Sequence, residues 1–215
     1  MRTENSLTNS PGLTWRENNA PLPDDFYLRP CLDVARDLLG KILIHRQRGQ
    51  VLALELVEVE AYLGDDDPAS HAYRKITPRN RVMYERGGAC YVYLSYGMNY
   101  CMNVVAGPKG LGHAILLRAG RPLEGLERMR RNRGLPADAN PRQLCSGPGK
   151  LAKALAIDLS FYGRRFDEKD FRLIDSGIRY GDAEIASGPR IGISKAQEFP
   201  FRFVIKGSPW LSRKV

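Results

Sequence analysis

Leu32, Ala35, Leu38 and Leu39 recur at helical spacing and Gly40 follows where a left-handed residue ends a helix, so the pattern predicts a short helix laid on a sheet. The period then changes to two. Ile42 to His45, the turn-forming Gln47-Arg48-Gly49-Gln50 and Val51 to Tyr62 predict strand, turn and long strand. In the long strand Leu52, Leu54, Leu56, Glu58, Glu60 and Tyr62 share one face. An apolar row that ends in carboxylates predicts a strand running from the core into a cleft. Tyr91 to Asn103 reads as two aromatic-rich strands folded over Gly97, with Tyr91, Tyr93 and Ser95 on one face of the first. Tyr96, of opposite parity and beside Gly97, is expected at the tip of this hairpin.

From Arg121 to Arg133, Leu123, Leu126 and Met129 mark the apolar edge of a predicted helix whose last turns gather Arg128, Arg130, Arg131 and Arg133 and which Gly134 ends. Those arginines complement the helix dipole, contact nucleic acid, or do both. Leu135 to Arg142 is a loop of Pro, Ala and Asp, and a second helix starts within Cys145–Lys150 and continues to Ile157. Short strands are expected around Phe171–Ile174, Ile191–Ile193 and Phe201–Lys206. The sum is an α+β chain without repeats. Residues 1–23, rich in Asn, Ser, Thr and Pro, predict a flexible tail, and the folded domain is expected over 24–215.

The length of 215 residues suits one domain, and 43% hydrophobic content is enough for a core. Lys and Arg number 33 against 24 Asp and Glu, a formal net charge of +9, which favours a polyanionic partner over an acidic small molecule. No apolar run approaches the roughly 20 residues needed to span a bilayer, and no basic amphipathic helix with an aromatic face points to a membrane surface. The N-terminus lacks the apolar segment of a signal peptide, and cysteines 31, 90, 101 and 145 show no paired framework, so a reducing interior, cytoplasmic or nuclear and not secreted, is expected. The cysteines and histidines 45, 71 and 113 are scattered singly, so no metal site is expected.

The segment Ser146–Lys150 looks at first like a phosphate loop, but Leu144 and Leu151 stand where a Walker motif needs Gly and Ser or Thr. What survives is a glycine-rich helix start in which Ser146, Gly147 and Lys150 are candidate contacts for a backbone phosphate, beside the plainer reading of an ordinary Pro-started helix. Asp65-Asp66-Asp67 lacks the spaced ligands and closing Glu of a calcium loop. Glu58 and Glu60 sit at the border of an apolar strand. A carboxylate there has a tuned proton affinity and can activate water for hydrolysis of a glycosidic bond, whereas the plain alternative is a solvent-facing charge. A tyrosine at a hairpin tip can wedge between bases, which serves enzymes that must take a base out of the stack.

Glu60-Ala61-Tyr62-Leu63-Gly64, His71, Thr77-Pro78-Arg79-Asn80-Arg81, Tyr91-Val92-Tyr93, Tyr96-Gly97-Met98, Cys101-Met102-Asn103, Leu117-Arg118-Ala119, Pro122-Leu123-Glu124-Gly125, Cys145-Ser146-Gly147-Pro148, Arg202-Phe203 and Gly207-Ser208-Pro209-Trp210 together resemble the signature of the alkyladenine (3-methyladenine or methylpurine) DNA glycosylases. The resemblance spans nearly everything from Asp24 to Ser212, with several motifs in the same order. It implies a single α+β domain around a curved antiparallel sheet surrounded by helices, with a hairpin that enters the minor groove, and it implies neither metal nor cofactor. It implies that Glu60 is the general base acting on water and that Arg118 helps hold that water and the backbone. Tyr62, His71 and Tyr93 match the walls of a base pocket, and Asn103 a steric filter against the 2-amino group of guanine. Tyr96 matches the residue that fills the space a flipped base leaves, with Met98 its neighbour in the groove and Met83 a flanking groove residue. Arg79 joins Ser146, Gly147 and Lys150 as a phosphate contact. Asn99 and His113 depart from the residues common at their positions, a larger ring and a small residue respectively.

The activity implied is that of a monofunctional glycosylase, monomeric, acting on double-stranded DNA that contains damaged purines, namely 3-methyladenine, hypoxanthine and ethenoadenine. A cationic alkylated base is already a good leaving group and needs mainly an activated water; a neutral base also needs a proton, from a donor the sequence does not reveal. With a glutamate and water in place of a lysine amine, no Schiff-base lyase step is expected. Two rivals stand against this. A non-catalytic nucleic-acid-binding module would use the tyrosines for stacking and Glu60 as a structural charge. Carbohydrate hydrolysis fits less well, because residues two apart on one strand face cannot flank a bond.

Overall fold

The computed structural model describes residues 15–214. The helices α1 (Asp24–Tyr27) and α2 (Cys31–Leu38) lead into β1 (Ile42–Gln47), and α2 buries Cys31, Val34, Ala35 and Leu38 on one side. A tight turn at Arg48 (φ +49°) and Gly49 (φ +78°), both left-handed as a short hairpin connection requires, feeds β2 (Gln50–Leu63). The second hairpin joins β3 (Cys90–Ser95) to β4 (Asn99–Val105), and β5 (His113–Glu124) returns alongside β2. After β5 come α3 (Leu126–Arg133), α4 (Arg142–Cys145) and α5 (Pro148–Ala154), then β6 (Asp167–Glu168), β7 (Phe171–Ile174), β8 (Ile185–Gly188) and β9 (Arg202–Ile205).

These strands form one antiparallel sheet in the order β3-β4-β5-β2-β1-β7-β6, with β9 paired to β2 and β8 to β9. The long β2 changes neighbour along one edge: Gln50–Glu55 pair with β1, whereas Glu58–Glu60 pair with β9. Irregularities against β5 at Leu56/Glu58 and Glu58/Val59 bend the strand at the same place. The fork therefore falls beside the carboxylates and buries both. One large apolar cluster joins the strands to α2, α3 and α5, and a smaller one gathers Ala72, Val82, Met83, Ala89, Tyr91, Val105 and Ala114. The molecule is an α+β domain with a curled antiparallel sheet, as the resemblance implies.

Three local expectations need correction. The predicted helix from Arg121 begins too early, because β5 continues through Glu124 and only Gly125 (φ +77°) breaks it; Leu123 is a strand residue. Ile191–Ile193 is not a strand but part of an irregular segment between β8 and β9. Of the expected tail over 1–23, residues 1–14 lie outside the described residues, while 15–22 are packed. The Leu22 N–H donates to the Leu173 carbonyl at 2.8 Å, Pro21 bridges Ile174, and Trp15 packs on the cluster around Ile42 and Ile44. Apolar Leu22 and Trp15 outweigh the polar composition around them, so the packed chain starts before Asp24.

Candidate active site

The strand registers line up a row of side chains. Tyr91 opposes Asn103, Asn103 opposes Leu116, and Leu116 opposes Glu60. Directly opposed residues project from the same face of a sheet, as do residues two apart on one strand. Tyr93, Ser95, Cys101, Ala114 and Tyr62 therefore join that face, and together with Arg118 they floor a cavity of about 640 Å³. Its rim is built from loops: Pro68, Ala69, His71 and Arg79 on one side, Pro148 and 191–195 on the other, with Tyr96 at the hairpin end.

Glu60 lies just behind the floor with 0% exposure. Its Oε1 accepts the Ile191 backbone N–H at 2.7 Å, and its Oε2 accepts the Tyr62 hydroxyl at 2.9 Å and Arg118 Nη1 at 3.2 Å. Burial pushes the Glu60 carboxyl above its ordinary value, against the opposing pull of Arg118, the Ile191 N–H and Tyr62, and Glu58 adds to the rise. A base whose affinity for a proton is raised, yet which keeps charge-assisted donors around it, is suited to taking a proton from water. Arg118 stays charged: burial opposes it, but Glu60 and Glu58 together hold its guanidinium above the ordinary range.

The pocket walls are aromatic and pinned. Tyr91 and Tyr93 stack with centroids 5.5 Å apart, and the His71 ring meets Tyr93 edge-on at 4.6 Å. His71 Nδ1 lies 2.9 Å from the Tyr91 hydroxyl, and desolvation, helped by the Arg79 charge, lowers its pKa to about 4 although the residue is exposed at the rim. The His71 loop is tied by Asn80, whose Nδ2 donates to the carbonyls of His71 at 2.6 Å and Lys75 at 2.8 Å. Tyr62 is backed by the buried Arg190, 4.6 Å over its ring, which pairs with Asp67 and donates to the Ala61 carbonyl at 2.8 Å. Asn103 Nδ2 donates to the Tyr91 carbonyl at 3.0 Å, which fixes the amide at the pocket floor.

The sequence model of the family described as Methylpurine-DNA glycosylase (MPG) matches residues 25–209. The chain belongs to that family. A protein of Koribacter versatilis (strain Ellin345) is 42% identical over 91% of this chain and 94% of its own length. One from Rhodopseudomonas palustris (strain ATCC BAA-98 / CGA009) is 45% identical over 87% and 86%, and one from Methanoculleus marisnigri is 43% identical over 90% and 99%. Each of the three bears the name "Putative 3-methyladenine DNA glycosylase". As a methylpurine-DNA glycosylase the chain is a hydrolase acting on N-glycosidic bonds, and DNA is its substrate.

In this glycosylase the sequence-predicted residues do not all fall where expected. Arg118, Tyr62, His71, Tyr93 and Asn103 line one cavity, and Glu60 lies directly behind its floor, bonded to Tyr62, Arg118 and Ile191. Tyr96 is 86% exposed and Met98 76% exposed at the hairpin end, outside the core. Met83 is different. At 2% exposure it is packed with Val82, Ala72 and Tyr91 and borders the cavity from within, so it does not present a surface to a groove. Its apolar neighbours on a 3-10 turn, Arg81–Tyr84, draw it inward. Arg79, expected on a phosphate, has its guanidinium 5.2 Å over the Tyr93 ring at the rim. Ser146 bridges Ala119, next to Arg118, and Lys150 is exposed on the first turn of α5. Gly149 brings α5 against the Asn99 side chain: a Cβ there would lie 2.8 Å from Asn99 Cβ, so the compact Asn99 and the glycine fit each other.

Sequence reasoning missed the Ile191 N–H, the Arg190–Asp67 pair, and the partners of Glu58. Arg202 and Ser208–Trp210 carried a signal, since they stand within motifs of the family resemblance, but nothing in their spacing assigns them a contact. Among the described residues no cluster of three or more His, Cys, Asp or Glu is arranged to hold a metal ion, and no helix is long and apolar enough to cross a membrane.

Proposed function

We propose that this protein is a monofunctional DNA glycosylase of base excision repair that extrudes alkylated or deaminated purines from double-stranded DNA, acts as a monomer, and leaves an abasic site. The observation that carries the reading is Glu60: fully buried directly behind the floor of an aromatic cavity, with raised proton affinity and donors on both oxygens from the lining residues Tyr62, Arg118 and Ile191. In this reading a water bound to Glu60 attacks C1′ of the extruded nucleotide. The new C–O bond forms as the C1′–N bond breaks, its electron pair leaves with the base, and Glu60 takes the water's proton. Arg118 holds water and backbone. The cation of 3-methyladenine leaves as a neutral base, whereas hypoxanthine and ethenoadenine require protonation as well.

The damaged base lies between Tyr62 and Tyr93 with its edge at His71, whose neutral ring presents one donor and one acceptor. Asn103, immobilised by its bond to Tyr91, excludes the 2-amino group of guanine. Tyr96 fills the gap in the stack with Met98 beside it, and the left-handed pair Tyr96 (φ +49°) and Gly97 (φ +70°) is the hairpin turn that holds the ring out from the sheet. Arg79 at the rim, and Ser146, Gly147 and Lys150 flanking the rim residue Pro148 in sequence, serve as the phosphate contacts. Single-turnover release of 3-methyladenine, hypoxanthine and ethenoadenine from otherwise identical duplexes tests the reading. Release of each with an intact abasic strand as product is expected; release of none, with binding retained, points to the non-catalytic module.

A further inference from the structure

Beneath the cavity floor lies a second carboxylate that the reading above leaves without a role. Glu58 has no exposed surface. It accepts from Arg118 Nε at 3.1 Å, Arg202 Nε at 2.8 Å, the Ser212 backbone N–H at 2.6 Å and the Ser212 hydroxyl at 2.7 Å. Arg202 also donates to the Arg213 carbonyl, so the C-terminal segment is strapped beneath the sheet fork. Arg118 is thus shared between two carboxylates: Nε goes to Glu58 and only Nη1 to Glu60.

A carboxylate has about four lone-pair directions, and an unrestrained arginine prefers to fill two of them with a parallel fork of N–H donors. On Glu60, Oε2 is filled by Tyr62 and Arg118, while among the described residues Oε1 accepts only from Ile191. One direction on Oε1 thus has no protein donor, although the carboxylate lies just behind the cavity floor without exposed surface. We propose that Glu58 is a positioning residue which, anchored by Arg202 and the Ser212 strap, holds Arg118 to a single hydrogen bond on Glu60 and so keeps an Oε1 lone pair open for the attacking water. This rests on Glu60 being the base. With Glu58 neutralised, the Arg118 fork closes on Glu60, covers that site and lowers the affinity of Glu60 for a proton. The other groups facing Glu60 are Tyr62 on β2 and Cys101 on β4, with Tyr93 on β3 and Arg190 acting on Tyr62; none of them replaces the hold that Glu58 has on Arg118.

The test is single-turnover release of methylated purines from dimethyl-sulfate-treated duplex across pH, for Glu58→Gln, Ser212→Ala, Glu60→Gln, Arg118→Gln and the Glu58→Gln/Arg118→Gln pair. Glu58→Gln is expected to lose about 10–100-fold in rate and to move the acid limb down by about one pH unit, since a closer opposite charge lowers a carboxyl pKa by that order. Ser212→Ala, which keeps the backbone donor, should shift it the same way by less. In the Arg118→Gln background Glu58→Gln should move the acid limb by clearly less than it does alone, the remainder being the direct charge of Glu58 on Glu60, because the larger part of its effect passes through Arg118. The proposal is overturned if Glu58→Gln leaves the acid limb in place, or shifts it equally with Arg118 absent. Should Glu58→Gln fail to fold, the Ser212→Ala limb decides: a shift to lower pH supports the strap and an unmoved limb rejects it. Full activity in Glu60→Gln overturns the assignment of the base instead, and is told apart by that variant alone.

Discussion

The backbone N–H of Ile191 donates to Glu60 Oε1 at 2.7 Å across 131 residues of sequence. That contact is available because 191–193 is irregular: a strand ladder would engage its N–H groups, whereas here one is free to aim at a carboxylate. A fixed dipole at the floor thus helps keep Glu60 ionised despite full burial.

Glu60→Gln keeps the shape and two acceptor directions but removes the base. Excision of methylated purines should fall by on the order of 10²–10⁴, with affinity for damaged duplex retained. Single-turnover rates with enzyme in excess, set beside binding measured by anisotropy, check this; near wild-type release would sink the assignment.

The pH dependence has a definite sign. With Glu60 as the proposed base it must be ionised, and its pKa is raised chiefly by desolvation, so the rate should climb with pH through a midpoint above the ordinary carboxylate value. His71 adds a stability effect. Its folded pKa of about 4 lies below the unfolded value of about 6.5, so the unfolded chain binds more protons between them. The stability contributed by neutral His71 is present above pH of about 6.5 and lost as the pH falls toward about 4. Melting temperature against pH should show that loss, and His71→Gln should flatten it.

Tyr96→Ser removes a ring that is 86% exposed and so leaves the core intact. The loss of stacking should cost about 1–3 kcal/mol in duplex DNA and much less where the damaged base is already unpaired, because extrusion is then cheaper. Equal impairment on the two substrates would mean that Tyr96 does not act as a wedge.

Binding should weaken steeply with salt. Each phosphate neutralised by Lys or Arg contributes a slope of about −0.9 in log K against log salt, and the net charge of +9 supplies several such contacts. A titration from low to physiological salt that gave a flat response would assign the basic surface to something else.

Gly64 sits where β2 ends below the pocket, with φ +56°, and a Cβ there would lie 2.1 Å from the Leu111 carbonyl oxygen. Backbone cannot give way as a side-chain tip can. Gly64→Ala should therefore destabilise by at least about 2 kcal/mol, through overpacking added to left-handed strain, and chemical denaturation would show it. A midpoint like that of the wild type would mean that the 64 and 111 loops move apart freely.

Sequence by itself determined the elements with a clear period: the α2 stripe, the β1–β2 pair, and the Tyr91–Asn103 hairpin with Tyr96 at its tip. It also determined the family, through ordered motifs, and with it the convergence of Glu60, Arg118, Tyr62, His71, Tyr93 and Asn103. Local pattern misjudged the start of α3, because Leu123 fits a helix edge and a strand equally, and Gly125 decided the matter only through its left-handed backbone. Burial of Met83 was not legible, since the cluster it joins draws on chain as far apart as Ala72, Val105 and Ala114. Glu58 and Glu60 read as neighbours on one strand face, and so they are. What separates their surroundings is the fork of the sheet, where β9 replaces β1 beside β2 and brings Arg202 and Ser212 to one carboxylate while the 191 segment caps the other. Contacts between segments more than a hundred residues apart leave no period in the sequence, because they depend on where each strand meets its neighbour, and only the tertiary structure fixes that.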